Sequence, residues 1–111
     1  MPVRELSRLL PPRDFQLLDV RLPQEWDEGH LPGARYLFLG GLSEKLGELN
    51  RNRPVVAYCA SGYRSSLAAS ILEAAGFTAA HVQGGYQAWT AAGLPTVIPP
   101  DAGRMASNTN R

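Results

Sequence analysis

Short β-prone runs alternate with helical segments along this chain of 111 residues, and this alternation is the feature that most restricts its fold. Residues 15–20 (FQLLDV) are mostly apolar, as expected for a strand buried on both faces. Residues 54–59 (PVVAYC) form the most β-prone run and predict the central strand. A helical segment follows each run, the first beginning at Pro23 and ending before Gly29. Strands that alternate with helices predict an α/β fold built on a parallel sheet.

Further elements continue this order. Residues 30–38 read as a turn and a short strand, and the leucines in residues 41–49 recur at helical spacing. Residues 65–77 predict a long amphipathic helix that ends at a glycine. A last short strand within 79–82 and a helix within 85–93 complete the pattern.

The chain is long enough for one domain with a hydrophobic core and too short for two such domains. The predicted domain covers residues 3–95. Residues 96–111 show no hydrophobic period and are rich in disorder-prone types, so we expect a flexible C-terminal tail.

Charge and hydropathy exclude several classes of partner. The formal net charge is only +1 and the arginines are spread along the chain, so the sequence lacks the basic stripe that nucleic-acid binding requires. The apolar runs are too short to span a bilayer, which predicts a soluble protein without a membrane partner. Glu5 and Arg8 interrupt the N-terminal segment, which therefore does not resemble a secretory signal and predicts a cytoplasmic location.

Cys59 is the only cysteine, so it cannot form an internal disulfide or a multi-cysteine zinc site. It is either a buried filler or a reactive thiol, and its position favours the second. It ends the predicted central strand, and ligands of open parallel sheets bind outside the carboxyl ends of the strands. A short loop then leads into a helix N-terminus, whose backbone N–H groups favour an anion such as a thiolate. Gly62 gives this loop conformational freedom, and Arg64 adds a positive charge that should lower the thiol pKa and attract an anionic substrate.

Several segments together resemble one family. They are LLDVR (17–21) with the following EW (25–26), GHLPGA (29–34), VVAYCASGYRS (55–65), GGYQAW (84–89) and AGLP (92–95). In this order and spacing they resemble the single-domain rhodaneses, which are sulfurtransferases. The resemblance implies a parallel sheet of about five strands, flanked by helices on both faces, with the cysteine loop at its carboxyl edge.

The length of the loop carries a further implication. Four residues separate Cys59 from Arg64, as in the sulfurtransferases of this family, whereas the related phosphatases have one residue more. The resemblance therefore implies that Cys59 is the catalytic nucleophile and takes the sulfane sulfur of thiosulfate or a low-molecular-weight persulfide. A thiol or cyanide then accepts the sulfur, and no metal or cofactor is needed. The implied substrate-binding residues are Ala60, Ser61, Gly62, Tyr63, Arg64 and Ser65.

Other functions remain open beside this one. The chain could be a sulfur-relay or binding module that carries a persulfide only with a partner protein, and a wide apolar patch near the loop would favour that reading. The short loop and the lack of a second cysteine disfavour a phosphatase or an arsenate reductase. The loop also lacks the valine and threonine of mercaptopyruvate-specific relatives. We expect Tyr63, at the rim of the loop, to restrict which donors reach the sulfur.

The remaining polar residues are interpreted as structural. In the family that the sequence resembles, residues equivalent to Asp19 and Arg21 mainly tie loops together. His30 and His81 lack the spacing of metal ligands, and a thiolate ionised by its loop needs no general base. The glycine pair at 84–85 is explained by a tight turn.

Overall fold

The computed structural model describes residues 1–99 and contains a parallel sheet of four strands. These are β1 (Gln16–Asp19), β2 (Arg35–Tyr36), β3 (Val55–Tyr58) and β4 (Ala79–His81). Their order is β2-β1-β3-β4, and every neighbouring pair is parallel. The α/β class and the central position predicted for residues 54–59 are confirmed.

In the part of the chain that the structure describes, five helices connect and cover the strands. They are α1 (Val3–Leu9), α2 (Pro23–Glu28), a 3₁₀ helix (Leu39–Glu48), α3 (Tyr63–Ala74) and α4 (Gly85–Ala91). The predicted helix at 41–49 is thus a 3₁₀ helix, because three glycines in ten residues weaken an α-helix. The sequence pattern missed α1, a short helix in which Leu6 is the buried residue.

The sheet has a hydrophobic core on each face, and alternate residues of one strand contribute to different cores. Val55 and Ala57 of β3 join the cluster with Leu72 of α3. Val56 and Tyr58 of the same strand join the cluster with Trp89 of α4. Burial on both faces explains why the strands read as continuous apolar runs in the sequence.

The prediction of about five strands was too high by one within residues 1–99. Beyond β4, Met1 hydrogen-bonds to the edge of the sheet. Its amino group donates to the His81 carbonyl oxygen, and the Gln83 N–H donates to the Met1 carbonyl oxygen, both at 2.8 Å. Because α1 already begins at Val3, this pairing ends after a single residue and forms no strand.

Residues beyond 95 also contact the domain. Val97 and His30 exchange two backbone N–H···O hydrogen bonds of 2.8 Å, which form an antiparallel bridge. The domain boundary at 95 stays a prediction, and most of the predicted tail, residues 100–111, lies outside the described residues. In residues 1–99 no helix has the length and apolar character needed to cross a membrane.

Candidate active site

Cys59 follows β3 directly and lies at the carboxyl edge of the sheet, as predicted. Only 1% of the residue is exposed. The chain then turns through Gly62, whose φ of 119° is strained for any residue with a side chain, and enters α3 at Tyr63. This turn brings the first backbone N–H groups of α3 back toward the sulfur.

The Cys59 sulfur accepts hydrogen bonds from the backbone around it. The N–H groups of Gly62 and Ser65 donate to Sγ at 3.1 Å and 3.3 Å, and Ser65 Oγ lies 3.6 Å from it. Burial raises the pKa of the Cys59 thiol, but the hydrogen bonds from Ser65, Gly62 and Ser61 outweigh it, so the pKa falls below its ordinary value. The site therefore favours the thiolate, which is the nucleophilic form of cysteine.

The predicted loop residues divide into two groups. Ser61, Gly62 and Ser65 direct hydrogen-bond donors toward the sulfur. Ala60 instead contributes a carbonyl oxygen to the support of the loop, where it accepts the N–H of Gln87 at 2.9 Å. Tyr63 is the first residue of α3, directly after Gly62, and 73% of its surface is exposed, so its position at the rim of the site stays a prediction.

Arg64 is paired and is not a free cation at the site. Its two terminal nitrogens donate to the two carboxylate oxygens of Glu25 in α2, at 2.7 Å and 3.0 Å. The hydrogen bonds that Arg64 donates to Glu25 raise the pKa of the Arg64 guanidinium, and the negative charge of the Cys59 thiolate acts in the same direction. The sequence reasoning treated Arg64 as an open positive charge and missed Glu25, although Glu25 belongs to one of the segments that carry the family resemblance.

Gly85, the first residue of α4, has a role that the sequence pattern did not reveal. The N–H groups of Tyr86 and Gln87 donate to the carbonyl oxygens of Cys59 and Ala60 at 2.8 Å and 2.9 Å. A Cβ atom at Gly85 would collide with the Cys59 carbonyl oxygen and lie 2.8 Å from the Ala60 carbonyl carbon. The absence of a side chain at Gly85 therefore lets α4 support the cysteine loop from behind.

A buried polar network lies at the same edge of the sheet. Asp19 and Arg21 are almost fully buried and form a two-pronged ion pair, with a shortest distance of 2.7 Å. Arg21 also donates to the Gly29 carbonyl oxygen at 2.7 Å, and the Tyr58 hydroxyl donates to Asp19 Oδ2 at 2.7 Å. Burial raises the pKa of Tyr58, so its hydroxyl stays neutral. These contacts tie the loops after β1 and α2 to β3, in agreement with the structural interpretation of Asp19 and Arg21.

The two histidines take structural positions. His30 stacks on Trp26 with ring centroids 3.5 Å apart, and its Nδ1 lies 2.9 Å from the Leu31 carbonyl oxygen. His81 belongs to β4, and its Nδ1 is buried without a hydrogen-bond partner among the described residues. Within residues 1–99, no three His, Cys, Asp or Glu side chains are grouped so that they could hold a metal ion.

An apolar cavity of about 640 Å³ lies far from the cysteine loop. It is lined by Phe15 and by the residues with which β3 and β4 begin, at the amino edge of the sheet. Its walls include no residue of the loop, so the convergence of hydrogen-bond donors on one sulfur identifies the site better than the volume of the cavity.

A family model for the rhodanese-like domain matches residues 2–92. The chain belongs to this family. The resemblance inferred from the sequence is thereby confirmed. A protein from Allochromatium vinosum named sulfurtransferase is 37% identical over 94 residues, which cover 84% of this chain and 88% of that protein.

The rhodanese-like domain also occurs in larger relatives. A probable adenylyltransferase/sulfurtransferase MoeZ from Mycobacterium tuberculosis is 39% identical over 89 residues, but these cover 78% of this chain and only 23% of that protein. Among solved structures, a rhodanese-related protein from Thermoplasma volcanium superposes with a TM-score of 0.83 at 29% identity, covering 89% of this chain and 97% of that one. Together these comparisons support sulfur transfer as the general chemistry of the domain.

Proposed function

We propose that the protein is a sulfurtransferase that moves a sulfane sulfur from thiosulfate or a low-molecular-weight persulfide to a thiol or cyanide through a persulfide on Cys59. The observation that supports this most strongly is the buried sulfur of Cys59, toward which the N–H groups of Gly62 and Ser65 are directed. These groups favour the Cys59 thiolate before the reaction and the anionic terminal sulfur of the persulfide after it.

In the first step the Cys59 thiolate attacks the outer sulfur of the donor. A new S–S bond forms at Cys59 while the S–S bond of the donor breaks, and the donor leaves with the electron pair as sulfite or as a thiolate. The terminal sulfur of the resulting persulfide carries the negative charge, which the N–H groups of the loop stabilise.

In the second step the acceptor attacks the terminal sulfur. Cyanide leaves as thiocyanate, or a thiolate leaves as a persulfide, and the electron pair of the broken S–S bond returns to Cys59. Because the chain has no second cysteine, no internal disulfide can compete with this step, and the acceptor comes from outside.

Intact-mass measurement tests this proposal. The protein is weighed before and after exposure to thiosulfate or glutathione persulfide, alongside a Cys59→Ala variant, and cyanide is then added to follow thiocyanate release. We expect the parent protein, but not the variant, to gain one sulfur atom and to lose it when cyanide is added. With donor and cyanide both present, the parent protein should form thiocyanate over many turnovers. A folded parent protein that takes sulfur from neither donor would contradict the proposed enzyme.

A second candidate is a relay module that exchanges sulfur with a partner protein, and a surface feature favours it. Four apolar side chains on elements that start at the carboxyl edge of the sheet are exposed by 39–73%: Leu22, Phe38, Tyr63 and Leu67. Exposed apolar side chains at the same sheet edge as the reactive sulfur favour the docking of another protein there. Slow turnover of every small donor, with fast single-turnover transfer to a protein thiol, would favour the relay. A cytoplasmic location stays a prediction in both cases.

A further inference from the structure

The ion pair between Glu25 and Arg64 is built into the elements around the cysteine loop. Both oxygens of the Glu25 carboxylate accept hydrogen bonds from the terminal nitrogens of Arg64. One of them, Oε1, also accepts the N–H of Leu22 at 2.9 Å, at the start of α2. Glu25 is therefore held by its own helix in the orientation that a two-pronged contact with arginine requires.

This pairing changes the charge that a substrate meets at the site. The Arg64 and Glu25 side chains are 30% and 26% exposed, so bulk water only partly screens them. The hydrogen bond from Arg64 lowers the pKa of the Glu25 carboxyl, which keeps the pair ionised at neutral pH. The pair has no net charge, and each terminal nitrogen of Arg64 already gives one of its two N–H groups to Glu25, which leaves fewer donors for an anionic substrate.

We propose that Glu25 sets the charge preference of the Cys59 site, because it neutralises Arg64 and so disfavours a dianionic donor such as thiosulfate relative to a donor with a smaller total charge, such as an alkyl persulfide. This inference rests on the proposed function for its donor class. The pairing of Glu25 with Arg64 should also lower the reactivity of Cys59 toward any anion, and this effect can be measured without sulfur transfer.

Alkylation of Cys59 provides the independent test. Iodoacetate and iodoacetamide attach to the same sulfur and release the same iodide ion, but the first reagent carries a negative charge and the second carries none. The burial and the pKa of the thiol affect both alkylation rates equally. The rate with iodoacetate divided by the rate with iodoacetamide therefore reports the electrostatic effect of the site on an anion. In Glu25→Gln, which keeps an oxygen for the N–H of Leu22, we expect this ratio to rise about tenfold at low salt and less at high salt.

Glu28→Gln is the matched control. Glu28 lies on the same helix, is exposed and has no ion pair among residues 1–99, so the substitution removes the same charge away from Arg64. We expect its ratio to stay within about twofold of that of the parent protein. An equal rise in both variants, or no rise in Glu25→Gln, would overturn the proposal.

Arg64→Gln tests the same pair from its other side. It leaves the Glu25 carboxylate unpaired, so the ratio should fall below that of the parent protein, while the Glu25→Gln/Arg64→Gln double variant should return close to it. Circular dichroism shows whether each variant is folded. A fall in both single variants would indicate a general loss of structure and contradict a specific effect of charge.

Sulfur transfer to cyanide then tests the donor class. Thiosulfate is a dianion and benzenethiosulfonate a monoanion, and both deliver one sulfur atom, leaving as sulfite and benzenesulfinate. We expect the ratio of their kcat/KM values to shift about tenfold toward thiosulfate in Glu25→Gln and not in Glu28→Gln. An active parent protein without this shift overturns the inference. A parent protein that loads no sulfur, but shows the alkylation response, overturns the proposed function and leaves the role of Glu25 intact.

Discussion

At the carboxyl edge of the sheet, polar groups are paired and buried or half-buried, whereas the amino edge has an apolar cavity of about 640 Å³. The first edge has the Cys59 sulfur with its N–H donors, the Asp19–Arg21 pair and the Glu25–Arg64 pair. The second is lined by residues such as Phe15 and Ala79. Both edges belong to the same four strands, so the strands themselves do not explain the difference.

The difference comes from the chain segments that connect the strands to the helices. At the carboxyl edge, these segments turn into helix N-termini, and the N–H groups there are directed at Cys59 from α3 and at the loop carbonyls from α4. Unpaired N–H groups require acceptors, and a thiolate is one. Chemistry is therefore expected at the edge where donors converge and not at the edge with the apolar cavity.

Cys59→Ser has the largest expected effect on this comparison. Serine keeps the size of the side chain but is not ionised at neutral pH, so sulfur loading should fall to the background level. Thr78→Ser, at the cavity edge, is the matched control and should leave loading within about twofold of the parent protein. Intact-mass analysis after exposure to thiosulfate measures both. Sulfur retained in Cys59→Ser would place the reaction elsewhere.

Asp19→Asn should have the largest effect on stability. It leaves the buried Arg21 charge without its carboxylate, which is expected to lower the free energy of unfolding by about 3 kcal/mol. Glu48→Gln breaks an exposed ion pair, in which the side chains of Glu48 and Arg35 are 46% and 50% exposed. It should lower the free energy of unfolding by less than about 1 kcal/mol. Urea denaturation compares the two variants. Equal losses would show that burial does not distinguish the pairs.

The fold was predictable from the sequence because its strands are buried on both faces. Residues 54–59 and 15–20 read as continuous apolar runs, and the structure places β3 and β1 there at the centre of the sheet. Edge elements were less predictable. The expectation of about five strands exceeded by one the four strands within residues 1–99, where Met1 pairs with the edge of the sheet without forming a strand. The helix α1 was missed because Leu6 is its one buried residue.

The position of Cys59 was also predictable, since a lone cysteine stood between a strand and a helix with Gly62 in the turn. The partners of the loop were not. Glu25 is 39 residues from Arg64 in sequence, and the tight contact of Gly85 with Cys59 depends on how α4 packs. Contacts of such sequence separation depend on the tertiary arrangement, which local spacing does not reveal.

Gly85→Ala tests whether α4 supports the cysteine loop. The new Cβ would meet the carbonyl groups of Cys59 and Ala60, and the φ of 56° adds strain, so we expect a loss of about 2 kcal/mol in the free energy of unfolding. Gly93→Ala is the control, because its φ is 72° but no atom lies within 4 Å of the added Cβ. It should cost about 1 kcal/mol. Both variants have the backbone strain, but only Gly85→Ala has the collision. Similar losses in the free energy of unfolding, measured by urea denaturation, would mean that α4 can shift to relieve the collision.

Ser65→Ala has the smallest expected effect and tests how the loop ionises Cys59. The variant loses the hydroxyl 3.6 Å from Sγ but keeps the backbone N–H, so the pKa of the thiol should rise only part of the way to its ordinary value. The alkylation rate by iodoacetamide increases with pH as the thiolate forms, and its midpoint should therefore lie at higher pH in the variant. Below both midpoints we expect about a threefold lower rate in the variant than in the parent protein.

Ser66→Ala is the control. The Ser66 hydroxyl donates to the Tyr63 carbonyl oxygen, so its removal should leave the midpoint unchanged. Equal midpoints in all three proteins would assign the lowered pKa to the backbone N–H groups alone, and the carboxyl edge would then favour the thiolate through the geometry of its main chain.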